Sequence, residues 1–325
     1  MTASPATQAQ QRALDNSAIG ASLRRLATSA VAPWLHGEVA RRMAERLTVI
    51  KLKPQRLIDW WGFSGAGGAA LEAAYPHALR VVVEPTAALL ELSRAAVRRP
   101  WWTLQHWRGP SIEFCLEGAE QVPGTQLIWA NMMLHAQRDP PALFARWHEL
   151  LQADGFVMFS CLGPGTLAEL RALYAGLGWP APTPAFVDMH DLGDMLVNAG
   201  FADPVLDQET LTLHWPGPRE LLAELRSLGG NAAPDRFPGL RTPRWRDALI
   251  EALGSLCGPD GRLRLSFEVA YGHAFKAPPR IRAGEPTLVS LQDMRAMVRA
   301  RRPLGSGVTR ARDNADGTPA AALRL

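Results

Sequence analysis

The chain of 325 residues is 47% hydrophobic and 20% charged, enough length and apolar content for one large packed domain or two modest ones. No apolar run approaches the roughly 18 residues of a membrane-spanning helix, and the N-terminus MTASPATQAQQRALDN has no signal core, so a cytoplasmic protein without a membrane partner is expected. The net charge of +4 is carried by the end of the chain, where residues 277–325 hold nine arginines against four acids; the body is near neutral, and no nucleic-acid partner is expected for it.

In chain order, residues 1–20 lack an apolar period and read as disordered, and the N-terminal stretch 1–30 as a whole reads as disordered or loosely helical. APWLHGEVARRMAERL (32–47) has apolar residues at helical spacing and predicts an amphipathic helix. A strand (56–61), a helix (68–75) and a strand (79–84) follow, then a helix (86–97) with Thr86 as a candidate N-cap. The third strand falls at 102–107 or at 112–116, and the fourth at 126–131. A helix (141–151) and a fifth strand (155–162) complete an alternation that predicts a doubly wound parallel α/β sheet. Two more helices (165–178, 189–200) precede two long strands, 204–215 and 262–275. Between these strands, residues 216–261 read as an insertion over one compact domain, and 277–325 as a basic, disordered tail. Cys115, Cys161 and Cys257 are odd in number and far apart, which fits buried thiols and no metal site.

The first strand ends in DWWGFSGAGG, from Asp59. A glycine turn there lets a cofactor approach the backbone and the free N–H groups of the next helix. Two frames compete. Gly65, Gly67 and Ala70 match G-x-G-x-x-A of dinucleotide-binding folds. Asp59, Gly62 and Gly65 resemble the first motif of class I S-adenosylmethionine methyltransferases, with Trp61 and Phe63 standing where that motif has glycines. Glu84 ends the second strand, where an acid can accept hydrogen bonds from both ribose hydroxyls. A tight turn with no ligand is the third possibility.

Further on, FSCLGPGTLAELR (159–171), FVDMHDLGDMLVNAGFADPVLDQETLTL (186–213), LLAELRSLGGNA (221–232) and LSFEVAYGHAFK (265–276) are long, ordered segments. They resemble the malonyl-acyl-carrier-protein O-methyltransferases of biotin synthesis, and the similarity spans roughly residues 32–276. The resemblance implies a Rossmann-like class I methyltransferase fold: seven strands, mostly parallel, with an antiparallel last pair, helices on both faces and residues 216–261 as a lid. It implies S-adenosyl-L-methionine as cofactor, the free carboxylate of a malonyl thioester as methyl acceptor, and acyl-carrier protein or acyl-CoA as partner. The cofactor-binding residues it implies are Asp59, Gly62, Gly65, Glu84 and, at the end of the fourth strand, Asn131.

A carboxylate with a pKa near 4 is already ionised at pH 7, so no general base and no catalytic side chain of that kind is expected. The acceptor needs a cationic or hydrogen-bonding clamp. Arg171 is one candidate and equally a surface helical arginine. His190 lines the pocket, or else Asp191 beside it simply caps a helix. Arg226 and the other insertion arginines, Arg219, Arg236, Arg241, Arg244 and Arg246, dock an acidic carrier or are merely solvated. The chain departs from the family at an N-terminal tyrosine, which is missing from RALDNSAIGASLRR, and at Gly165, where an acid is usual. The alternative reading is therefore a weak or inactive methyltransferase fold that acts as a binding or regulatory partner.

Overall fold

A computed structural model describes residues 14–29, 31–97, 111–120, 122 and 124–278. The alternative third strand at 102–107, the first thirteen residues and the tail beyond residue 278 lie outside the described residues. Among those described, no helix is long and apolar enough to cross a membrane.

One seven-stranded sheet runs in the order β3-β2-β1-β4-β5-β7-β6. Its strands are β1 (Arg56–Trp60), β2 (Leu79–Glu84), β3 (Ile112–Leu116), β4 (Thr125–Ala130), β5 (Leu151–Leu162), β6 (Ala202–Trp215) and β7 (Leu263–Phe275). The first five are parallel, and β7 pairs antiparallel with both β5 and β6. The seven-stranded class I methyltransferase arrangement, with its antiparallel last pair, is the one expected. β1, β2 and β4 are short, nearly continuous apolar runs because helices cover both of their faces. β6, at the sheet edge, alternates polar and half-buried residues along its length.

The helices are α1 (Asn16–Ala27), α2 (Trp34–Arg46), the single turn α3 (Gly62–Gly65), α4 (Gly68–Ala74), α5 (Ala87–Ala96), α6 (Pro140–Leu150), α7 (Ala168–Gly176), α8 (Met189–Asn198), α9 (Pro218–Ser227) and α10 (Pro243–Gly254). Their starts follow sequence chemistry. Thr86 Oγ1 accepts the Leu89 N–H at 3.3 Å and caps α5, and Asp139 caps α6 ahead of Pro140 at its first position. Two apolar layers flank the sheet. One gathers Leu35, Val39, Met43, Leu57, Trp129 and Phe156. The other holds Trp60, Trp147 and Phe144, with Trp147 meeting the first edge-on at 5.7 Å and the second at 5.6 Å.

Two elements differ from expectation. α1 is a regular helix inside the stretch expected to be disordered or loosely helical, because Asp15 caps it and ties it to the insertion: its carboxylate accepts from the Ser17 N–H at 2.7 Å and pairs with Arg236, and its N–H reaches Ala232 O at 2.9 Å. β5 starts at Leu151, four residues before the expected start, and its register against β4 shifts between Thr125 and Leu127. α9 and α10 occupy the insertion between β6 and β7.

Candidate functional site

β1 lies between β2 and β4, where the strand order reverses and a crevice opens beyond the carboxyl ends of the strands. The turn leaving β1 is bracketed by two left-handed residues, Trp61 at φ 56° and Ala66 at φ 53°. Between them α3 packs onto its surroundings so closely that a Cβ on Gly62 would stand 2.9 Å from both Asp59 Oδ2 and Val82 Cγ1. The Phe63 N–H donates to Glu84 Oε1 at 2.7 Å, and the Ser93 hydroxyl donates to the same oxygen at 2.6 Å. The Asn131 amide donates to Gly65 O at 2.5 Å and to His36 O at 2.7 Å, and its Oδ1 accepts the Ser160 hydroxyl at 2.7 Å.

All five residues expected to bind the cofactor therefore converge on this turn, and the contacts they make are with the turn itself and its supports. Glu84 is fully buried. Burial pushes its carboxyl up to about 7, against the two donated hydrogen bonds and with some help from Asp59. Burial likewise raises Asp59 to about 6, opposed by Arg80. Glu84 Oε2 has no hydrogen-bond partner among the described residues. Asp59 and Gly62 line a side cavity of about 430 Å³ between α4 and α5, together with Arg80 and Ser93.

Two further spaces meet at the switch point. A crevice of about 570 Å³ is lined by Trp61, Pro85, Glu117, Gln137, Arg138 and Arg146, with α1 along one side. A chamber of about 300 Å³, mostly apolar, is lined by His36, Ser64, Met132, Leu162, Leu167 and Phe267, with α1, α9 and the loop after α9 around it. Ile19, Leu23, Trp61 and Ala136 belong to both walls. The Trp61 indole N–H donates to Glu117 Oε2 at 2.9 Å. Burial raises the Glu117 carboxyl above its ordinary range, and the indole bond pulls it back in part.

The substrate-binding expectations separate. Arg226 lines the chamber as an exposed residue, as does the exposed Arg25 of α1. Arg171 is committed elsewhere: its guanidinium donates to Thr166 O at 2.6 Å and to Pro164 O, closing the turn before its own helix. His190 has a side chain 84% exposed and paired with Asp188 at 2.8 Å, so it lies at the surface and outside the chamber. The cap of α8 is Asp188 and not Asp191. Gly165, where the family has an acid, leaves room for the Glu268 carboxylate, which would stand 2.6 Å from an added Cβ. Sequence reasoning missed α1, His36 and Glu117 as parts of the site.

An adenosine-type cofactor fits the crevice, which lies within the roughly 300–1,000 Å³ of small-molecule sites. The acceptors that line it include Glu117, Gln137, Asp139 and Asn16, and Trp61 forms part of its wall. Glu84 does not line it.

No family model matches the chain. Three proteins named malonyl-[acyl-carrier protein] O-methyltransferase are similar to it over most of their length. The one from Gallionella capsiferriformans (strain ES-2) is 38% identical over 252 residues, covering 76% of this chain and 86% of the relative. That from Laribacter hongkongensis (strain HLHK9) is 35% identical, covering 82% and 92%. That from Halorhodospira halophila (strain DSM 244 / SL1) is 37% identical, covering 74% and 81%.

Proposed function

The chain belongs to the malonyl-[acyl-carrier protein] O-methyltransferase family, and from that premise we propose that it methylates the free carboxylate of a malonyl thioester. S-adenosylmethionine is the methyl donor, acyl-carrier protein or coenzyme A carries the thioester, the cytoplasm is the compartment, and the ester serves biotin synthesis. The observation that carries this reading is the wall shared by crevice and chamber at Trp61 and Ala136. Methyl transfer needs the donor in one space and the acceptor in the other, with the two in reach across that wall.

When bound, the cofactor supplies an electrophilic methyl group on a sulfonium. The chain's residues do the rest. Glu117 and Gln137 offer acceptors for hydroxyl and amino groups in the crevice. The Trp61 indole, fixed by Glu117, presents its π-face to a cation at the junction. The apolar chamber strips water from the incoming carboxylate, which is ionised without a general base. The exposed Arg25 and Arg226 attract an acidic carrier.

The test is incubation with S-adenosylmethionine and malonyl-acyl-carrier protein, followed by mass spectrometry of the carrier's acyl group. A methyl ester is expected, and an unchanged malonyl group would sink the proposal. A second reading, a methyltransferase fold that binds a partner without turnover, draws on the complete burial of Glu84 beneath the turn. Calorimetry with S-adenosylhomocysteine separates the two, since that reading expects folded protein with no binding heat.

A further inference from the structure

His36 is 4% exposed and lines the chamber. Its Nδ1 lies 2.7 Å from Ser64 O. A carbonyl can only accept, so Nδ1 carries the ring proton. The residue's own carbonyl is held by Asn131 at 2.7 Å, and its N–H reaches Pro33 O at 3.0 Å. The ring is therefore fixed in one tautomer and one orientation. Nε2 is buried and has no hydrogen-bond partner among the described residues. With Nδ1 turned onto Ser64, Nε2 is the polar ring atom that His36 has left without a partner beside the space this residue lines. Burial lowers the imidazole to about 4, so near neutrality Nε2 is a bare lone pair.

A buried acceptor without a donor costs free energy, and a lone pair repels a carboxylate. Its complement is an N–H group. Both reactants carry one. The sulfonium has two long arms, and if the adenosyl arm lies in the crevice, the amino-acid arm with its ammonium group leads toward the chamber. The acyl carrier brings a pantetheine arm with amide N–H groups. We propose that His36 is a ligand-binding residue whose Nε2 accepts a hydrogen bond from an N–H donor of the bound reactants. The assignment rests on the methyltransferase reading of the two spaces.

The test uses the full chain and two probes, S-adenosylhomocysteine for the ammonium source and malonyl-N-acetylcysteamine for the amide source, each titrated by calorimetry. His36→Asn keeps a donor near the Nδ1 position and deletes the Nε2 acceptor; His36→Gln places an amide oxygen near Nε2 and gives up the Ser64 contact. Binding of one probe is expected to weaken about tenfold in the Asn variant and to stay within about threefold in the Gln variant, and the probe affected identifies the source. A merely structural histidine gives the reverse order, which would overturn the assignment, as would unchanged binding in both variants. Proton uptake on binding malonyl-N-acetylcysteamine, seen as a buffer-dependent heat that His36→Gln abolishes, would make the ring a cation and overturn it too. Should a variant fail to fold, the imidazole ¹⁵N spectrum of the wild type decides: the Nε2 resonance moves when a probe binds, and an unmoved resonance overturns the assignment. Wild-type protein that binds neither probe refutes the methyltransferase reading, and the His36 assignment falls with it.

Discussion

Trp61 holds a left-handed backbone at φ 56° while its indole N–H donates to Glu117 Oε2 at 2.9 Å, so the first residue after β1 is anchored by the first residue after β3. Two opposing contributions meet at this residue. A left-handed backbone costs a non-glycine residue about 1–2 kcal/mol, and Trp61→Gly relieves it. The same substitution removes a buried indole, where large-to-small changes cost about 3–5 kcal/mol. The indole wins, and Trp61→Gly is expected to destabilise the fold by about 2 kcal/mol in urea unfolding. A variant as stable as the wild type would show that the indole contributes little to the turn.

Glu84 gives a pH-dependent stability with a defined sign. Its folded pKa, about 7, lies above the ordinary 4.5. The folded chain therefore holds this proton more tightly than the unfolded chain. The contribution is fully present below pH 4.5 and is lost as pH rises toward 7. Asp59, raised to about 6 from 3.8, acts in the same direction over a lower window. Glu84→Gln keeps an acceptor for the Phe63 N–H and the Ser93 hydroxyl without a charge to bury. Its melting temperature should exceed that of the wild type at pH 8 and show no gain at pH 4.5. Parallel melting curves across that range would remove the buried carboxylate as the cause.

The sheet was legible because its strands and helices alternate at a regular pitch and each carries a clear apolar period. The site was legible only in part. The turn at Asp59 was found, but what fills it depends on side-chain direction. Trp61 faces the crevice wall, while Phe63 lines the side cavity with Asp59. α1 reads from the sequence as loosely helical at most, and its order comes from the tertiary ties of Asp15 to Ala232 and Arg236. His36 was hidden among the core residues Leu35, Val39 and Met43, where nothing in the sequence distinguishes a chamber-facing histidine from a packed one. Glu117 was out of reach while the third strand had two candidate positions. The charge of Arg171 does not say whether an arginine closes its own turn, and the motif around His190 does not say whether its ring faces a pocket or solvent.

The exposed chamber arginines predict a split in the kinetic constants. Arg226 is exposed and lines the chamber. Arg226→Ala should raise KM for the malonyl-carrier substrate several-fold and leave kcat near the wild-type value. The gap between variant and wild type should narrow as salt is raised, since screening weakens the wild type's advantage. Steady-state assays with the carrier-bound substrate at two ionic strengths check this. A fall in kcat at unchanged KM would place Arg226 in the transition state instead.

Two glycines test the packing that supports the site. Gly272 on β7 pairs with Phe159 on β5, and an added Cβ would stand 2.4 Å from the Phe159 ring edge. Phe159 cannot yield readily, because it is fully buried and its ring packs against Phe144 at 5.4 Å. Gly272→Ala must displace an aromatic ring or separate the strands, and overpacking of this kind costs about 1–3 kcal/mol. Gly176, the last residue of α7, is the control. An added Cβ there meets nothing within 4 Å, and its helical backbone favours alanine by up to about 1 kcal/mol. Urea unfolding should therefore show Gly272→Ala destabilised and Gly176→Ala unchanged or slightly stabilised. Equal responses at the two positions would mean that β5 and β7 are not held at the separation that sets Phe159 against Gly272.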